Sequence, residues 1–196
     1  AALMDQSGLL PVHFLEGADL IAAFDCDFLG SDGDSVRLSR EYAGGRTQAK
    51  AGDSMSRMYA VEANLSVTGS NADHRLRLNT ASVGSALAFL ANELKALGLT
   101  LPAEVQPAIG ALTGTKAAHA ETFLKALAKD IAANQGKSAI MVGERQPPHV
   151  QALGIALNQA LGNVGKTLKF YKDPLASVDG DIESLTVELN AGRVSH

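Results

Sequence analysis

Four stretches of the chain are short apolar runs, and longer stretches with helical periodicity lie between them. Asp19 to Phe24, within "ADLIAAFDCDF", is apolar without alternation, as in a parallel strand covered on both faces. Arg57 to Ala63 ("RMYAVEA") and Lys137 to Gly143 ("KSAIMVG") predict two more strands. Lys166 to Tyr171 ("KTLKFY") alternates with lysines and predicts a fourth strand nearer an edge. Val83, Leu87, Leu90, Leu94 and Leu97 recur at helical spacing, with Ser82 placed to cap them. Ala120, Phe123, Leu124, Leu127 and Ile131 predict a helix from Lys116 to Asn134, with Glu121 four residues before Lys125. Val150, Leu153, Leu157 and Leu161 predict another from about Pro148, opened by Pro147 and Pro148 and closed at Gly162. A last short helix covers Asp181 to Asn190.

Strands alternating with helices of this length predict an α/β fold, an open and mostly parallel Rossmann-like sheet with helices on both faces. Residues 30–35, 44–54 and 98–116 are the loop-rich joints, the last being either a surface excursion or a short extra helix. The 196 residues suffice for one substantial core, a single α/β domain or parts of two. Aromatics are 5% and Trp is absent, so packing leans on Ala, Leu, Val and Ile. The net charge of -4 offers no broad basic face for nucleic acid. One cysteine, Cys26, excludes an internal disulfide and cannot by itself hold an iron–sulfur cluster. No apolar run approaches the roughly 18 residues of a membrane helix. The opening "AALMDQSG" and the closing "NAGRVSH", just past a helical segment, are expected of a piece of a longer chain.

The segment ending Gly165-Lys166-Thr167 is close to a phosphate-binding loop, but residue 160 is Ala where that loop needs Gly. A helix precedes the turn and a strand follows it, so the N–H groups would not converge at a helix start. Gly162 and Gly165 read better as a helix stop and a tight turn. Asp25 and Asp27 match the first ligand positions of a calcium loop, but Leu29 takes the third and Val36 stands where the bidentate Glu belongs. Both aspartates also end a parallel strand, where ligands of open α/β sheets gather. Cys26 reads as buried packing or as a nucleophile, with no histidine near it in sequence. His13, His74, His119, His149 and His196 form no close metal-ligand pair. Ser66 to Leu76 gathers Thr68, Asn71, Asp73, His74 and Arg75 after the second strand, a composition for a polar ligand or for a self-bonded turn. Gly143 to Pro148, with Glu144 and Arg145, occupies the same position after the third.

The segments "MYAVEANLSVTGSNADHRLRLNTASVGSALAFLANEL" and "GERQPPHVQALGIALNQALGNVGKTLKFYKDP", with "ADLIAAFDCDFLGS" and "IESLTVELNAGRVSH", resemble one family. It is the large iron–sulfur/molybdopterin-oxidoreductase-like subunit of bacterial alternative complex III, within the dimethyl-sulfoxide-reductase superfamily. The resemblance runs from about Asp19 to the C-terminus. It implies a molybdopterin-oxidoreductase-like fold and a fragment whose parent carries iron–sulfur clusters in a C-terminal part outside this chain. The matching rim loops would be Cys26 to Asp34, Asn64 to His74 and Glu144 to Pro148. Asp25, Asp27, Thr68, Asn71, Asp73, His74, Glu144 and Arg145 are then the candidate rim residues. The family branch implies a scaffold without molybdenum, so no cofactor, catalytic residue or metal ligand is expected in this fragment. The implied partners are a multihaem cytochrome and a quinol-binding membrane subunit, on the periplasmic side of the inner membrane. A true molybdopterin-dependent oxidoreductase fragment is one alternative, and an unrelated small α/β ligand-binding or hydrolytic domain is another.

Overall fold

Every residue of the strand Leu20–Phe24 is buried, and the rest of the molecule is layered around it. The computed structural model describes residues 8–47, 54–112, 118–173 and 182–194. A first strand, β1 (Leu9–His13), precedes this central β2. Next come β3 (Arg57–Glu62), β4 (His74–Arg77) and β5 (Ser138–Val142). These last three join β2 in one parallel sheet of order β4-β3-β2-β5. The helices are α1 (Ser35–Arg46), α2 (Val67–Asn71), α3 (Val83–Ala96), α4 (Gln106–Leu112), α5 (Ala118–Ala133) and α6 (Pro148–Ala160). After them come a last strand, β6 (Leu168–Lys172), and a last helix, α7 (Ile182–Asn190). The fold is a Rossmann-like α/β sheet with helices on both faces, as the sequence pattern predicts.

The lack of alternation in β2 follows from that layering. Leu20, Ala22 and Phe24 pack with Leu87, Leu90, Leu127 and Leu157 of α3, α5 and α6. Ile21 and Ala23 point the other way, onto Leu15, Phe28, Leu38 and Tyr42. A strand with both faces covered has no position for a solvated side chain.

Lys166 to Tyr171 departs from expectation. Its strand, β6, leaves the main sheet and pairs antiparallel with β1 in a separate two-stranded ribbon. The cause is visible at the outer edge of β5. Asn158 on α6 is 1% exposed. Its Nδ2 donates to Ile140 O at 2.7 Å and its Oδ1 accepts the Ile140 N–H at 3.1 Å. Thr167 Oγ1 donates to Ser138 O at 2.6 Å, while Asn163 Nδ2 bonds Ser138 Oγ and Asn158 Oδ1, each at 3.0 Å. Side chains thus occupy main-chain groups that an incoming strand would need, one way a sheet edge is closed.

Other differences are local. Ser82 makes no side-chain cap bond; Asn79 Oδ1 instead accepts the Ala81 N–H at 2.9 Å, in the 3-10 turn leading into α3. Residues 44–46, read as loop, close α1, and 48–53 lie outside the described residues. The joint at 98–116 contains a 3-10 turn, Ala103–Val105, and α4, with 113–117 outside the description. So are Asp181 and His196, and α7 is described from Ile182. Glu121 and Lys125 meet at 3.9 Å on α5 as their spacing predicts. Gly162, with φ +69°, ends α6 in the left-handed conformation that favours glycine.

Candidate functional site

The sheet order changes direction at β2, with β3 to one side and β5 to the other. Ligands of open α/β sheets bind outside the carboxyl ends of such a pair of strands. Here that crevice holds protein. Gln146, 3% exposed, reaches in from the loop after β5 and its Nε2 donates to Asp25 Oδ2 at 2.8 Å. Gln151, from α6, donates to Gln146 O at 2.8 Å and Glu144 O at 3.0 Å and so fixes that loop. Asp25 has φ +50°, the one positive φ among the described non-glycine residues. At Gly143 the two loops touch, and a Cβ there would collide with the Asp25 carbonyl.

The gap between β2 and β3 is closed in the same way. Asp27 Oδ1 accepts the Thr68 N–H at 2.9 Å, and Thr68 Oγ1 accepts the Leu29 N–H at 3.0 Å. Asp32 Oδ2 holds the Asp27 N–H at 2.8 Å. Burial acts to raise the Asp27 pKa, but hydrogen bonds from Thr68 outweigh it, and the carboxyl sits below its usual 3.8. Its stabilising contribution is complete above the unfolded value and is lost as pH falls through the lowered folded one. Asp27→Ala should cost about 2 kcal/mol, the scale of a charge-assisted hydrogen bond. Urea titration at pH 7 measures it, and an unchanged midpoint would count against the latch. Below Thr68, the buried Glu62 accepts from Ser66 Oγ and from Arg75 Nε, each at 2.6 Å.

The predicted rim residues divide into two groups. Asp25, Asp27, Thr68, Glu144 and Arg145 lie at the carboxyl end of the sheet, Arg145 reaching Asp32 at 3.9 Å. Asn71 closes α2, donating to Val67 O at 2.8 Å, while its own carbonyl accepts the Tyr42 hydroxyl at 3.0 Å. Asp73 and His74 lie at the opposite, amino end, because β4 starts there opposite Tyr59. Asp73 accepts two bonds from Arg46 at 2.8 Å and one from the Met58 N–H at 2.8 Å. The His74 ring lies 4.6 Å from that of Tyr59, whose hydroxyl donates to Asp130 at 2.6 Å. The loop from Ser66 to Leu76 therefore serves both ends of the sheet, through α2 and β4. The sequence reading passed over Gln146 and Asn158; the signal for Asn158 was an amide at i+4 from Gly154 on the apolar stripe of α6.

A cavity of about 410 Å³ lies beside the crevice, between the β1–β6 ribbon, α1, β5 and α6. Val12, Phe28, Leu38, Met141 and Ile155 give it apolar walls, and Asp32, Asp34 and Glu144 give it carboxylates. Arg37 is its guanidinium, already engaged by Asp34 at 3.1 Å, Glu41 at 2.7 Å and His13 O at 3.0 Å. Cys26 is buried at its edge, its thiol pushed up by that burial and then by Asp32, Glu144 and Asp27, the opposite of an activated nucleophile.

His13 also lines the cavity, its Nδ1 buried without a hydrogen-bond partner. Burial lowers its pKa from 6.5 to about 4. Between those values the unfolded chain binds the proton and the folded chain does not. Stability should therefore climb as pH rises from 4 to 6.5 and then level off, by an amount on the order of 2 kcal/mol. Urea midpoints at pH 4.5 and 7 test this, and His13→Gln should shrink the difference between them.

Among the described residues, no three His, Cys, Asp or Glu side chains are grouped to hold a metal ion, and no helix is long and apolar enough to cross a membrane. No protein-family model matches the chain, and no curated protein matches it.

Proposed function

We propose that this chain is a non-catalytic scaffold and docking part of the large subunit of a quinol-oxidising respiratory complex of the alternative complex III type. The observation that supports it is the self-bonded rim: Gln146 on Asp25, and Thr68 on Asp27, occupy the positions where a dinucleotide would lie. A pterin dinucleotide carries a diphosphate, which requires free N–H donors or cations. The donor set beside the crevice does not fit that group. Asp32, Asp34 and Glu144 would repel it, and Arg37 is committed elsewhere. In this reading the fold holds the iron–sulfur part of the parent subunit beside a multihaem cytochrome and a quinol-binding membrane subunit, on the periplasmic side. A retained fold without its chemistry has precedent in the way folds outlive functions.

The test is metal and pterin analysis of the parent subunit purified from its native membrane. Iron without molybdenum or pterin is the expected result; one molybdenum per chain would favour the molybdopterin enzyme instead. The cavity favours a second reading, a small-ligand-binding α/β domain. Saturable binding of a small molecule that shifts the Met141 methyl resonance would support it.

A further inference from the structure

The cavity of about 410 Å³ beside the crevice has walls of two kinds. Phe28, Leu38 and Met141 are buried in it and Ile155 is half-buried, an apolar lining of the sort that takes a small organic molecule. The charged groups on it are the carboxylates of Asp32, Asp34 and Glu144 and the guanidinium of Arg37, which Asp34 and Glu41 already share. Asp32 is 5% exposed. Its Oδ2 accepts the Asp27 N–H at 2.8 Å. Among the described residues its Oδ1 meets only the Ser31 hydroxyl at 3.5 Å and Arg145 at 3.9 Å, an arginine whose side chain is 66% exposed. A carboxylate has room for about four donors, and a buried one that lacks them is costly to keep. Glu144 makes no side-chain hydrogen bond or ion pair among the described residues, yet its charge, like that of Asp32, acts on Cys26 at the cavity edge. His13 Nδ1 is buried there without a hydrogen-bond partner. Burial keeps that ring neutral at pH 7, so it offsets none of the negative charge.

We propose that this cavity binds a small monoamine with an apolar or aromatic body. The ammonium group lies against Asp32 Oδ1 and the Glu144 carboxylate and supplies donors that the protein does not. The body packs among Phe28, Leu38, Met141 and Ile155. An anionic ligand is opposed by the same carboxylates. A bare metal ion gains nothing from the apolar walls, and the described residues offer it no ligand cluster. The amine class rests on the reading of the cavity as a small-ligand site and adds the charge and shape of what it takes.

The probe is 2-phenylethylamine, titrated into the whole chain with 13C-labelled methionine methyl groups. The alcohol 2-phenylethanol and the anion phenylacetate carry the same body without the positive charge. The amine should move the Met141 methyl resonance saturably and bind more tightly than either. Glu144→Gln should weaken it about threefold, the scale of a partly solvated ion pair. Asp32→Asn, whose amide oxygen can still accept the Asp27 N–H, should weaken it about tenfold, as befits a buried charge-assisted bond. Neither substitution should alter the affinity for the alcohol. If the alcohol or phenylacetate binds as well as the amine, or if both variants bind the amine as the parent does, the amine assignment falls and the cavity remains a ligand site. If none of the three compounds moves Met141, the ligand-site reading falls with it.

Discussion

Asn158→Leu lowers the free energy of unfolding by about 4 kcal/mol. The leucine is close in volume and suits the apolar stripe of α6, so packing alone would count in its favour. The loss arises from what it leaves behind: the Ile140 N–H and C=O, both bonded by the Asn158 amide. Each becomes an unsatisfied buried polar group, at roughly 1–3 kcal/mol apiece. Asn163 also loses the acceptor of one of its bonds. Guanidinium denaturation of both proteins gives the number. A change below about 1 kcal/mol, within the range of surface substitutions and small adjustments, would mean that water or a moved strand satisfies β5 instead. Asn158→Asp should be no better tolerated, since a carboxylate cannot donate to Ile140 O and its charge would be buried.

Gly143→Ala is the second. The atom in the way is the Asp25 carbonyl oxygen, part of the backbone, so no side-chain rotamer relieves the clash. The Gly143 N–H also donates to Phe24 O at 2.9 Å, tying it to the strand it would have to leave. Separating the two loops would stretch that bond and the contact of Gln146 with Asp25. A cost of about 3 kcal/mol is expected, at the upper end of overpacking penalties. Amide exchange should show the damage at Asp25 and Gln146 before it reaches α5. Equal acceleration across the sheet would instead indicate global loosening.

The parts of this fold that could be read from sequence are those fixed by local periodicity. β2 is fully buried and β3 and β5 are buried but for one end residue each, and a strand covered on both faces is mostly apolar, so the residues announce it. α3, α5 and α6 carry apolar stripes for the same reason. α1 escaped because only Leu38 and Tyr42 are buried in its twelve residues, too few to set a period. β4 escaped because it is four residues long and three of them are Arg or His. β6 was legible as a strand but not in its pairing. Its partner was decided by Asn158 and Thr167, side chains acting on a strand about twenty to thirty residues away. The rim divided along the same line. Asp25 and Asp27 could be placed because they follow a strand, while the separation of Asp73 and His74 from them required knowing where β4 begins.

The crowding of Asp25, Asp27, Asp32 and Asp34 into ten residues, with Glu144 across from them, makes the carboxyl end of the sheet a source of negative potential. Arg145, 3.9 Å from Asp32, and Arg37, 3.1 Å from Asp34, offset part of it. Such a field acts at a distance, before surfaces meet: it speeds the encounter of a cationic body and slows that of an anionic one. A cationic neighbour that seats at this end should therefore associate more slowly as ionic strength is raised, with its dissociation rate nearly unaffected.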